Sequence, residues 1–126
     1  MSKVLLDSDI LIDLLRGRED TRVFLHDLAG HSVPCCSVIS VAEIYAGMRQ
    51  EETASTAALL DGLVILPVTK EIAEVAGHFK RRSKSRRLEL ADCLIAATAF
   101  AEGASLATGN AKDYPMPEIT LLPARR

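Results

Sequence analysis

The chain has 126 residues, 48% of them hydrophobic, and a formal net charge of −2. That length suits one compact domain burying roughly two-thirds of the surface its unfolded chain would expose, and with aromatics at 4% and no Trp the core must come from Leu, Ile, Val and Ala. The balance excludes a broadly basic nucleic-acid binder, so any such contact must use a local patch or a metal ion, and no stretch approaches the roughly 20 apolar residues of a membrane span.

Val4-Leu5-Leu6 reads as a short buried strand, followed by Asp7 and Ser8. Ile10, Leu11, Leu14 and Leu15 then repeat at helical spacing up to Gly17. Thr21 to Leu28 is a second helical segment, with Gly30 as its stop. Val33 to Ile39 predicts a strand beginning at Pro34. Within it the adjacent Cys35 and Cys36 face opposite sides. With Cys93 they make an odd count at a spacing that fits no zinc motif. A reducing cytoplasm is the natural setting, and the N-terminal apolar run, interrupted by Asp7, Asp9 and Asp13, is no signal peptide.

Ser40 opens a helix through Met48, and Thr53 to Leu60 is Ala-rich and helical. Val64-Ile65-Leu66 is a strand ended by Pro67, and Thr69 caps a long helix from about Lys70 to Lys84. Ala91 to Glu102 is a strong helix with Gly103 just past its end. Ser105-Leu106-Ala107 is a strand, 109–117 a loop, and Ile119 to Leu122 the last strand. Strands alternating with helices imply parallel strands joined by helical crossovers, a three-layer α/β/α domain over residues 1–126 with a central, mainly parallel sheet.

In such a sheet, functional groups gather beyond the carboxyl ends of the strands. Asp7 follows the first strand, Glu43 lies in the first turn of the helix after the second, and Asp92 in the first turn of Ala91–Glu102. Asn110 follows the strand Ser105–Ala107. Each acid taken singly has a local role: Asp7 in an Asx-type turn, Glu43 in a Ser40-x-x-Glu43 capping box, Asp92 at a helix dipole. Together they fall where one crevice forms. Close carboxylates repel and take up protons unless a cation neutralises them. An all-oxygen set without His or Cys suits Mg²⁺, or Mn²⁺, over zinc.

Four segments carry a family resemblance. Val4-Leu5-Leu6-Asp7-Ser8-Asp9-Ile10-Leu11-Ile12 resembles the opening motif of PIN-domain ribonucleases, especially the VapC toxins of bacterial toxin–antitoxin pairs. Ser37-Val-Ile-Ser-Val-Ala-Glu43-Ile-Tyr-Ala-Gly47, Ala91-Asp92-Cys-Leu-Ile-Ala-Ala-Thr-Ala99 and Leu106-Ala-Thr-Gly-Asn110-Ala-Lys-Asp-Tyr114 are similar to the second, third and fourth, in order and nearly end to end. The resemblance implies a PIN-like fold and a Mg²⁺-dependent endoribonuclease acting as a toxin. Asp7 and Asp92 would be the main metal ligands, and Glu43 would complete the acidic cluster directly or through water. Asn110 stands at the family's variable fourth acid, where an amide is a weaker ligand suited to a metal water or the substrate; Asp113 is the lesser alternative. Asp9 stands where Asn is common and would hydrogen-bond the loop and orient Asp7, with Thr108 supporting similarly. The implied partners are RNA, a small antitoxin whose tail covers the cleft, and a second copy in a homodimer. Apolar faces on Thr53–Leu60 and Val41–Met48 would serve such an interface or the core equally well.

Lys80, Arg81, Arg82, Lys84, Arg86 and Arg87 form the clearest basic cluster, placed to meet an RNA backbone or simply to solvate a helix end, and no aromatic interleaves to support base stacking. His26, His31 and His78 lack ligand spacing. Two other chemistries share the early acids. Asp7-Ser8-Asp9 resembles the nucleophile and acid–base pair of haloacid-dehalogenase-type phosphatases, but the chain is short and Leu11 replaces the expected Thr or Val. A phosphoacceptor receiver domain needs an Asp ending its third strand, and neither Val33–Ile39 nor Val64–Leu66 supplies one. A PIN-like fold that only binds a partner is the third alternative.

Overall fold

The computed structural model describes residues 1–84 and 87–124. Five strands form one parallel sheet in the order β3-β2-β1-β4-β5, with β1 Ser2–Leu6, β2 Ser32–Ser37, β3 Val64–Leu66, β4 Ser105–Thr108 and β5 Leu121–Pro123. The helices are α1 Ser8–Leu15, α2 Glu19–Ala29, α3 Val38–Gly47, α4 Thr53–Asp61, α5 Lys70–Arg82 and α6 Leu90–Ala101. Among the described residues no helix is long and apolar enough to cross a membrane.

β1 is central because both of its faces can be buried: Val4, Leu5 and Leu6 are all nearly inaccessible. Its period of two divides the core. Leu5, Cys35 and Leu106 face one way, onto Ile72, Ala76 and Phe79 of α5 and the Ala-rich α6. Val4, Leu6, Cys36 and Ala107 face the other way, onto Ile10 and Leu11 of α1, Leu28 of α2, Ile44 of α3 and Leu60 of α4. Cys35 and Cys36 thus point to opposite sides, and both thiols are held above their ordinary pKa by burial. Ala96, Ala97 and Ala99 of α6 are fully buried, and such small side chains let the helix backbone lie close to its neighbours.

The boundaries differ from the sequence reading where two local signals compete. β2 starts earlier, at Ser32, so Pro34 lies inside the strand. β3 pairs only with Cys35–Ser37, leaving one side of Pro34 as a free edge, where a residue without an N–H is tolerated. Ser37, not Ser40, caps α3, accepting from Ile39 N at 3.0 Å, so the Ser40-x-x-Glu43 capping box does not form. α1 begins at Ser8 because the Asp7 side chain accepts from Ser8 N, and it ends at Leu15, just before Gly17, whose φ of +75° is left-handed. α5 stops at Arg82. The loop after β4 contains a 3₁₀ turn, Ala111–Asp113. Ile119 packs into the core ahead of β5 rather than opening it.

Leu106, fully buried on β4 between β1 and β5, is the most direct test of this core. Leu106→Ala is expected to lower unfolding free energy by about 2–5 kcal/mol in a urea titration, with the native far-ultraviolet spectrum retained.

Candidate active site

The carboxyl ends of β1 and β4 are joined side by side. Asp7 N donates to Ala107 O at 2.9 Å, extending the ladder one residue past β1. The Asp7 side chain, only 6% exposed, accepts from Ser8 N at 2.8 Å through Oδ1 and from Thr108 Oγ1 at 2.8 Å through Oδ2. Thr108 Oγ1 in turn accepts from Asn110 N at 3.0 Å. Asp9, in the first turn of α1, accepts from Gly109 N at 3.0 Å and from Asn110 Nδ2 at 3.2 Å. The loop after β4 is therefore laced to the start of α1, with Asp7 fixed between them.

Asp92 is the third residue of α6, and its Oδ2 accepts from Glu89 N at 3.4 Å. The structure brings Asp7, Asp92 and Asp113 into mutual electrostatic range. Burial raises the Asp7 pKa, opposed by hydrogen bonds from Thr108 and Ser8 N–H and by the nearby Tyr114 hydroxyl, and reinforced by the Asp113 charge. Burial likewise pushes Asp92 up to about 6, against the Glu89 N–H bond and with the charges of Asp7, Asp113 and Glu89 adding to the rise. The charges that reach both acids are negative, which is the setting a cation relieves.

Glu43 is exposed and sits in the second turn of α3, where Oε1 accepts from Ser8 Oγ at 2.6 Å. Ser8 Oγ also lies 2.8 Å from buried Ser40 Oγ. Glu43 is thus tied to the cluster through Ser8, the residue next to Asp7. Sequence reasoning passed over Ser8, although its place between two acids in Asp7-Ser8-Asp9 was the available signal. It also passed over Tyr114. The Tyr114 hydroxyl is buried beside Asp7, forms no hydrogen bond of ordinary geometry, and is kept neutral by burial and by the nearby carboxylates.

The donors offered to a ligand are carboxylate, hydroxyl and amide oxygens. Among the described residues no three His, Cys, Asp or Glu side chains converge closely enough to enclose an ion unaided. A buried and a half-buried carboxylate, on which no cation among the described residues is seen to act, fit a hard divalent ion that keeps several waters, the habit of Mg²⁺. Asn110 is exposed and spends its amide on Asp9, while Asp113, at the end of the 3₁₀ turn, lies nearer the acidic pair electrostatically.

The basic run divides. Lys80 Nζ donates to Leu88 O, and Arg81 meets His78 Nδ1 at 2.6 Å. Arg82 forms a two-point pair with Glu118 at 2.7 and 2.8 Å while lying 5.4 Å from the Phe79 ring centre. Lys84 and Arg87 are exposed, and Arg86 lies outside the described residues. Asp9 faces the loop after β4 rather than standing beside Asp7 as a phosphatase acid–base partner would. β3 ends at Leu66 before Pro67, with no acceptor acid for a receiver domain.

The chain is similar to known proteins. The family model described as PIN domain matches residues 4–114. The chain is 39% identical over 115 residues to Ribonuclease VapC10 of Mycobacterium tuberculosis, covering 90% of this chain and 86% of the relative. It is 35% identical over 116 residues to Ribonuclease VapC19 of the same species, covering 89% and 92%. A chain of a solved toxin-antitoxin complex from Klebsiella pneumoniae superposes with a TM-score of 0.81 at 27% identity, spanning 98% of this chain and 99% of the other. The matched residues run from β1 to the turn after β4 and include Asp7, Glu43, Asp92, Thr108 and Asn110; the chain belongs to the PIN-domain family.

Proposed function

We propose that this chain is a VapC-type endoribonuclease of the cytoplasm, the toxin of a toxin–antitoxin pair, hydrolysing RNA phosphodiesters with Mg²⁺ or Mn²⁺ held at Asp7 and Asp92. The observation that carries this reading is the meeting of two proton-attracting carboxylates, from β1 and α6, at the end of the sheet. A divalent ion there supplies Lewis acidity toward a phosphodiester oxygen and a lowered pKa for water. The chain's own groups do the rest. Thr108 and Ser8 N–H hold the Asp7 carboxylate in one orientation. Glu43, exposed and oriented by Ser8, is the acid free to accept a proton from an incoming water. Asp9 and Asn110 fix the loop that borders the cleft.

The antitoxin partner follows from the likeness to VapC ribonucleases and to a chain of a toxin–antitoxin complex. Val38 and Tyr45 are exposed apolar side chains seven residues apart on α3, so they share a face, and Leu90 is exposed at the start of α6. These suit an interface with the antitoxin or with a second copy in a homodimer.

Cleavage of a pool of labelled structured RNAs with Mg²⁺, Mn²⁺ or EDTA tests the activity. Asp7→Asn and Asp92→Asn are expected to lose at least about 100-fold in rate while unfolding cooperatively. Full metal-dependent activity in both variants would sink the site.

The Asp92 shift sets a pH dependence. A carboxyl whose folded pKa lies above its unfolded value binds protons more tightly in the native state, so it lowers stability as pH rises from about 3.8 through about 6. In EDTA the wild type is expected to lose melting temperature across that window relative to Asp92→Asn, and excess Mg²⁺ is expected to shrink the difference. Parallel pH profiles for the two proteins would contradict the assignment.

A further inference from the structure

Two cavities meet beside the acidic cleft. The nearer, about 210 Å³, is lined by Arg87, Leu88, Lys112, Asp113 and Pro115. The farther, about 260 Å³, is lined by residues that include Phe79, Arg82, Lys84, Leu88, Pro115 and Met116. Leu88 and Pro115 border both, so the two adjoin and are taken together as one groove. Its near end is the active site, because the charge of Asp113 reaches both Asp7 and Asp92.

The groove changes character along its length. At the near end Lys112 presents an exposed cation. At the far end the floor is apolar, with Phe79, Leu88 and Met116 each almost fully buried. Arg82 stands over that floor. Its guanidinium packs 5.4 Å from the Phe79 ring centre, and both terminal nitrogens are taken by Glu118, yet its side chain remains 54% exposed. An arginine whose charge is already matched is a poor phosphate ligand. A guanidinium braced by a carboxylate, set near an aromatic ring and still more than half exposed offers a stacking surface for a nucleobase.

The geometry points to a subsite for a nucleotide flanking the scissile phosphate of single-stranded RNA, with its phosphate on Lys112 and its base stacked on Arg82. The assignment rests on the ribonuclease reading and adds the strand's path and the form of substrate, since a paired base has no free face to offer. The matched charge of Arg82 explains why the basic run seen in the sequence does not act as one phosphate-binding patch.

The test uses Asp7→Asn protein with Mg²⁺ and a fluorescein-labelled random-sequence single-stranded 20-nucleotide RNA. Arg82→Lys keeps the charge and loses the plane, and is expected to weaken binding at least about fivefold, the low end of what one stacked base contributes, with the salt dependence unchanged. Lys112→Ala is expected to weaken binding and to reduce the salt slope by about 1. Glu118→Gln separates platform from charge. It removes a negative charge, so a merely electrostatic patch would bind RNA more tightly, whereas an unbraced platform binds less tightly. The Mn²⁺-induced rise in melting temperature, measured with Asp7 intact, is expected to be the same in all three variants.

Tighter RNA binding by Glu118→Gln, wild-type affinity in Arg82→Lys, or equal losses on duplex and single-stranded RNA would overturn the subsite. So would preferential displacement of the RNA by polyglutamate, which would assign the groove to an acidic protein segment. Failure of the ribonuclease reading looks different: the parent protein itself would bind no RNA, and the subsite would fall with it.

Discussion

Electrostatic repulsion confined to a poorly hydrated crevice is the constraint on which the structure turns. Asp7 and Asp92 come from opposite ends of the sequence and are brought together by a sheet that buries both faces of β1. Placing them there costs stability, visible as two carboxyl groups that hold protons above the ordinary range. Among the described residues the fold offsets this with directed hydrogen bonds from Thr108, Ser8 N–H and Glu89 N–H rather than with a lysine or arginine. A basic partner would stabilise the fold and occupy the place of a catalytic ion. The site is therefore held in position by neutral donors and left electrically incomplete, and binding of a cation converts stored repulsion into affinity.

Much of this was legible in the sequence because the relevant signals are local or periodic. The alternation through Val4, Leu5 and Leu6 and the Cys35–Cys36 pair fixed the two-faced sheet, and the acids fell at strand ends where an open parallel sheet collects functional groups. The four motifs resembling PIN-domain ribonucleases ran through the same strands and helices that the structure displays. What local rules could not settle involved competition. Ser37 and Ser40 are both plausible caps, and the choice was decided at a distance of 32 residues, where Ser8 engages Ser40 and Glu43. The shift of the last strand to Leu121–Pro123 has a similar origin, since Ile119 is drawn into the core before pairing with β4 begins.

The basic run shows the same lesson in electrostatic form. From the sequence, Lys80 to Arg87 is a block of positive charge. In space, Arg82 is neutralised by Glu118, 36 residues onward, and Lys80 is committed to a backbone carbonyl. Counting charges along a chain overstates the field they produce, because partners distant in sequence divide a run into structural and solvent-facing members. In a protein with net charge −2, polyanion binding must be organised residue by residue, and the groove beside Asp113 is where the described residues allow it.

The hydrogen bond from Thr108 to Asp7 also ties catalysis to strand register. Leu6 pairs with Ala107, and the next step along each strand brings the hydroxyl to the carboxylate. Because side chains alternate, a slip of one residue in either strand would exchange the two core faces and carry Asp7 away from its donor at once. Insertions and deletions should therefore be purged from β1 and β4 even when hydrophobicity is conserved. The stretch after Glu43 through β3 carries none of the described bonds around Asp7, so a change of length there leaves those bonds in place. Evolution along this lineage can remodel the rim of the molecule, but it inherits the two central strands as a single unit in which foldability and chemistry are selected together.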